Sequence, residues 1–137
     1  MISKKEIEVR YSETDQMGVV YHANYLVWFE LGRTKFLSDL GFSYQSLEDK
    51  NLIFPIREVK VEYLHPCRYG EKIIVETRVK EFSSIKTVYE HVIKNTDNDI
   101  KAKGESVAIC VRKDNFRITK IERYAKDVYD AYVNLKG

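Results

Sequence analysis

The chain has 137 residues, 44% of them hydrophobic, which suits one domain with a real core and excludes a disordered chain. Its 23 basic and 21 acidic residues leave a formal charge of +2, without the strongly basic footprint of a nucleic-acid binder. No apolar run approaches the ~18 residues of a membrane span, and residues 1–13 carry no apolar h-region of a secretory signal.

Residues 5–11 alternate, with Ile7, Val9 and Tyr11 opposite Glu6, Glu8 and Arg10, and so predict a half-buried strand. Residues 12–21 break that pattern and read as a loop with Gly18 as its turn residue. From Ala23 to Leu40 the spacing turns helical. Tyr25, Trp28, Phe29, Gly32, Phe36 and Leu40 form a stripe that Leu26, Leu31 and Leu37 widen, and Gly41 is the expected stop. A stripe this wide predicts burial on more than one side. Strands follow over 56–64, 72–81, 85–94 and 102–111, separated by short polar breaks that read as hairpin turns. Ile121, Tyr124, Ala125, Val128, Tyr132 and Leu135 predict a terminal helix. Successive strands with tight turns predict an antiparallel sheet, and one long apolar helix against it gives an α+β fold. No linker divides residues 1–137, so a single domain is expected.

Motifs for a serine-hydrolase elbow, a Walker loop, a dinucleotide fold and a zinc protease are all missing. His22, His65 and His91 lack metal-ligand spacing, and His65 and His91 read as structural. Cys67 and Cys110 lie far apart with no CxxC, which argues for two small buried thiols in a reducing cytoplasm. Neither a metal nor a cofactor is expected. The chemistry-bearing segment is the loop entering the long helix, from Tyr11 to Tyr25, with Asp15, Tyr21 and His22. A helix start exposes main-chain N–H groups and partial positive charge that can hold a developing oxyanion. A loop carboxylate facing the same carbonyl can activate water or attack directly. Spacing alone favours a turn or capping role for Asp15.

The segment Tyr11-x-x-Thr14-Asp15-x-x-Gly18-Val-Val-Tyr21-His22-x-x-Tyr25, continued by Phe29-Glu30-x-x-Arg33, resembles the signature of the hotdog-fold thioesterases. It is most similar to the 4-hydroxybenzoyl-CoA thioesterase and YbgC-like acyl-CoA thioesterase branch. The similarity continues through Phe54-Pro55 and Val59-x-Val61-x-Tyr63 to Pro66, and more loosely over the later strands.

The resemblance implies a hotdog fold: a five-stranded antiparallel sheet wrapped around the long helix. It implies hydrolysis of an acyl-CoA, with an acyl carrier protein as another donor, in a homo-oligomer that is a dimer or dimer of dimers with interfacial active sites. Asp15 matches the catalytic carboxylate, as nucleophile or general base. His22 matches the residue whose main-chain N–H polarises the thioester carbonyl, and Tyr21 beside it supplies shape or a second donor. Val20, Tyr25, Trp28 and Phe29 are candidate acyl-pocket residues or plain core. Glu30 matches an acidic helix position, for orienting a water or for an interfacial ion pair. Ser83 and Ser84 occupy a turn resembling the family's substrate-side loop. Arg57, Arg68 and Arg112 are candidate partners for CoA phosphates, or surface charges. A 3-hydroxyacyl-thioester dehydratase of the same fold and a non-catalytic acyl-CoA binding module are the competing readings.

Overall fold

Alternating side chains build one sheet, and one helix covers its apolar face. A computed structural model describes residues 1–135. The elements run β1 (Ser3–Glu8), α1 (Asn24–Asp39), α2 (Tyr44–Glu48), β2 (Leu52–Ile53), β3 (Ile56–Tyr63), β4 (Lys72–Phe82), β5 (Lys86–Asn95), β6 (Ile100–Ile109), β7 (Val111–Arg112) and α3 (Lys126–Val133). Five strands pair antiparallel in the order β1-β4-β5-β6-β3, and β2 pairs separately with β7. This is the hotdog arrangement, with α1 against β1, β4 and β5.

The helix lies close to the sheet because the contact positions are small. A Cβ at Gly32 would overlap Thr77 Oγ1 and crowd Val75, and one at Gly104 would overlap the Lys60 carbonyl and the Phe29 ring. Two apolar clusters result. One, around Tyr25, Trp28, Phe29, Ile73 and Ile93, supports the first half of α1. The other, around Phe36, Leu47, Tyr89, Ile121 and Tyr132, joins its second half to α2 and α3. The helix ends at Gly41, with φ +94°: Gly41 N–H donates to the Ser38 carbonyl at 2.9 Å and Phe42 N–H to Leu37 at 3.0 Å. These two bonds make the Schellman stop that Gly41 suggests in the sequence.

The structure corrects several sequence expectations. β1 ends at Glu8, and Tyr11, expected on its buried face, is 75% exposed in a 3-10 turn at Tyr11–Glu13. The Arg68–Glu71 turn closes no hairpin: β3 pairs with β6 and β4 with β1, so β3 is an edge strand. Ile85 is exposed in the turn before β5. Leu26 and Leu31, counted in the apolar stripe, are exposed in the single chain, as is Val27. The last helix starts at Lys126, after a 3-10 turn at Ile121–Arg123 that leaves Tyr124 at the surface.

Candidate active site

The loop between β1 and α1 is held by its own main chain. Asp15 N–H donates to the Val19 carbonyl at 2.9 Å, and Gly18 N–H to the Asp15 carbonyl at 3.0 Å. Gly18 takes φ +80°, a left-handed conformation that costs glycine little. Single bridges join Thr14 to Val20 and Val19 to Arg68. Asp15 Oδ1 accepts the Met17 N–H at 2.8 Å, the turn brace that spacing alone favours. Among the described residues Asp15 Oδ2 accepts no hydrogen bond, which leaves half of the carboxylate unengaged.

The helix start supplies the other half of the site. Asn24 N–H donates to Tyr21 O at 2.9 Å, Tyr25 N–H to His22 O at 3.3 Å and Leu26 N–H to Ala23 O at 3.2 Å. The N–H groups of His22 and Ala23 meet no acceptor among the described residues, and the N-cap, Ala23, makes no side-chain hydrogen bond to the helix start. The His22 carbonyl also accepts the Tyr63 hydroxyl at 3.0 Å, and the Tyr63 ring stands edge-on to Tyr25 at 5.0 Å. Asp15 and His22 share one cleft of about 300 Å³, closed by Val20, Tyr25, Tyr63 and His65. A larger hollow of about 640 Å³ lies against the sheet, but its walls carry charges such as Arg78 and Glu90. Those two are paired at 3.2 Å, and no helix start opens there.

The cleft is lined by neutral phenols. Burial, reinforced by the Cys67 thiol, holds the Tyr25 hydroxyl far above the ordinary phenol range, and burial also raises Tyr63. Burial likewise raises the Cys67 thiol behind the loop.

Of the acyl-pocket candidates, Val20 and Tyr25 line this cleft. Trp28 and Phe29 are fully buried core outside it: the Trp28 indole donates to Glu13, and Phe29 stacks on His91 at 4.3 Å. Tyr21 is half exposed, its ring 4.4 Å from His22. Glu30 is exposed on α1 and does not line the cleft that holds His22. Ser83 and Ser84 form the β4–β5 turn at the opposite end of the sheet. Ser83 Oγ accepts the Lys86 N–H, and Ser84 donates to Glu122 at 2.8 Å. Arg57 and Arg112 belong to that far end as well, with Arg112 bound to Asp114 at 2.6 Å. Arg68 alone of the three stands beside the Asp15 loop, bridged to Val19.

Residues given no site role from the sequence also line or support the cleft: Met17, Val19, Leu64, His65 and Pro66 on the walls, Tyr63 on the His22 carbonyl, and Glu13 behind the loop. His65, read as structural, is exposed on the cleft wall. Among the described residues no group of three His, Cys, Asp or Glu side chains is placed to hold a metal ion. None of the described helices is long and apolar enough to cross a membrane.

The comparisons give the family and the fold. The profile of the Thioesterase-like superfamily matches residues 9–130. YneP of Bacillus subtilis (strain 168), which carries a provisional acyl-CoA thioesterase assignment, is 44% identical over 135 residues, 98% of each chain. The acyl-CoA thioester hydrolase YbgC of Escherichia coli O6:H1 is 32% identical over 105 residues, 77% of this chain and 78% of that one. A crystal structure of the DHNA-CoA thioesterase from Staphylococcus aureus superposes with a TM-score of 0.94 at 39% identity, covering 96% of this chain and 89% of that one. With the profile matched over residues 9–130, relatives at 44% and 32% identity and the same hotdog sheet, this chain belongs to the thioesterase-like superfamily.

Proposed function

We propose that this chain is an acyl-CoA thioesterase in which Asp15 and the His22 main-chain N–H act on the same thioester. The observation that carries the reading is the cleft that both residues line, Asp15 with an unengaged carboxylate oxygen and His22 with a main-chain N–H that meets no acceptor among the described residues. The thioester carbonyl oxygen points at the His22 N–H. Charge grows on that oxygen as the acyl carbon becomes tetrahedral, so the donor binds the transition state more strongly than the substrate. Asp15 either attacks the carbon, giving a mixed anhydride that water then hydrolyses to free the carboxylate again, or takes a proton from a water that attacks the carbon itself. The C–S bond breaks, the CoA sulfur leaves and takes a proton, and the acyl group departs as a carboxylic acid.

The rings of His22, Tyr25, Tyr63 and His65 around the cleft, and the DHNA-CoA thioesterase among the similar structures, support an aromatic acyl group. Residues 1–137 act as one catalytic unit. The exposed β3 edge and the exposed Leu26, Val27 and Leu31 on α1 support a homo-oligomer built across them. Antiparallel edge pairing sets opposite ends of two sheets side by side, and so brings a second copy's far-end residues, such as Ser83, toward this cleft. The two free, buried cysteines fit a reducing cytoplasm.

A thiol-release screen over aromatic, short, medium and long acyl-CoAs, with acyl carrier protein thioesters as a further arm, tests the reading. Turnover is expected with CoA thioesters and highest with aromatic ones. CoA binding without thiol release on any thioester contradicts it.

A further inference from the structure

Glu13 is a buried acid that hydrolysis by Asp15 and His22 leaves unused. It is only 5% exposed, two residues before Asp15. One carboxylate oxygen accepts the Arg10 N–H at 2.8 Å. The other accepts the Trp28 indole N–H at 2.9 Å, 15 residues along the chain and one turn inside α1. Arg10 Nε stands 3.5 Å from the carboxylate. The Glu13 main-chain carbonyl accepts the Tyr21 N–H and the Asn24 Nδ2–H, each at 2.8 Å. Burial works to raise the pKa of this acid, but the Arg10 N–H, the Trp28 indole and the Arg10 guanidinium together hold it below the ordinary carboxylate range. One residue therefore ties three things together: the end of β1, the peptide leading to His22, and the second turn of the helix whose start is the oxyanion donor.

We propose that Glu13 is a positioning residue for thioester hydrolysis, whose clasp on the Arg10 N–H and the Trp28 indole fixes the Asp15 loop against the start of α1. The inference rests on the reading of Asp15 and His22 given above. Asp15 and the His22 N–H sit on two separate pieces of chain, and the reaction needs both within bonding reach of one carbon and its oxygen. A misplacement of about 1 Å between such groups costs on the order of 100-fold in rate. The turn at Asp15–Val19 fixes the loop internally but does not fix it to the helix; Glu13 does that, through its carboxylate on Trp28 and its main-chain carbonyl on Asn24.

Glu13→Gln is the discriminating variant. Both carboxylate oxygens face N–H donors. A glutamine of the same shape offers one oxygen and one amino group, so one donor must lose its partner. Trp28 is the chain's only tryptophan, so its emission reports the clasp directly. Wild type, Glu13→Gln, Trp28→Phe, the double variant and Asp15→Asn are compared in steady-state thiol release, thermal unfolding and amide exchange over residues 11–22.

Glu13→Gln is expected to lower kcat by about 10- to 100-fold with KM within about twofold, to shift Trp28 emission, and to speed amide exchange in the loop while unfolding stays cooperative. Trp28→Phe keeps the Arg10 half of the clasp and should lose less. The double variant should recover part of the kcat lost in Glu13→Gln, because the glutamine oxygen is then free to turn to Arg10. Wild-type kcat in folded Glu13→Gln, or unchanged loop exchange, overturns the proposal. If Glu13→Gln does not fold, Trp28→Phe decides, and wild-type kcat there overturns it. Asp15→Asn separates the two levels: full turnover in that variant removes the hydrolysis reading itself, whereas its loss beside a normal Glu13→Gln removes only the positioning role.

Discussion

His91 is the buried imidazole of the core, 1% exposed. Thr77 Oγ1 lies 3.0 Å from its Nδ1 and Ser106 Oγ 2.8 Å from its Nε2. Burial first, and the Arg33 guanidinium second, push its pKa down to about 3. The native ring is therefore neutral, while the unfolded chain takes up a proton below about pH 6.5. Between those two values the unfolded state binds more protons, so stability is complete above about 6.5 and falls as the pH drops toward 3. One proton contributes a slope of at most about 1.4 kcal/mol per pH unit. Urea unfolding at pH 7, 6 and 5 should show this loss in the wild type and a weaker one in His91→Gln; equal slopes contradict the assignment. The thiols give a second check. Burial, with Glu122 nearby, pushes Cys110 up to about 12, and burial raises Cys67. Neither should react with a thiol reagent at pH 8 before unfolding, and rapid labelling of native protein contradicts this. At this scale the turn brace of Asp15 and the two buried cysteines were legible from residue type and local pattern, whereas the pairing of Asp15 with His22 rested on the family resemblance. Glu13 was not, because no periodicity marks a buried glutamate whose partner indole lies 15 residues away.

The elements show why part of the fold could be read from sequence and part could not. Alternating bulk marked β4 and β5, and the apolar stripe ending in Gly41 marked α1 within a residue or two. The inner face of β6 is carried by Ala102, Ser106 and Ala108, with Gly104 between them. Small residues give no hydrophobic signal, yet they are what lets Phe29 and the helix sit close to the sheet. Strand partners were also hidden. A short polar turn between β3 and β4 looks like a hairpin, whereas the pairing is decided by long-range burial. Gly104→Ala is expected to destabilise the protein by about 1–3 kcal/mol, because the added methyl meets a main-chain carbonyl and a packed ring rather than a flexible tip. Denaturant unfolding measures it, and a change within experimental error contradicts the close packing.

At the scale of the molecule, an edge strand and an apolar strip on α1 are left facing outward. A second copy is the occupant proposed for them, and the cleft that holds Asp15 and His22 lies near that edge through Tyr63, the last residue of β3. Leu26→Glu combined with Leu31→Glu should shift the mass in light scattering toward a monomer and reduce turnover with it. An unchanged assembly contradicts that placement. The central claim is narrower: the free oxygen of the Asp15 carboxylate drives thioester cleavage while the start of α1 holds the carbonyl. Thiol release by Asp15→Asn on the best acyl-CoA tests it most directly. The asparagine can still accept the Met17 N–H and brace the turn. The expected result is a fall in kcat of at least about 100-fold, with the melting temperature and assembly of the wild type. Turnover within about threefold of the wild type would contradict it.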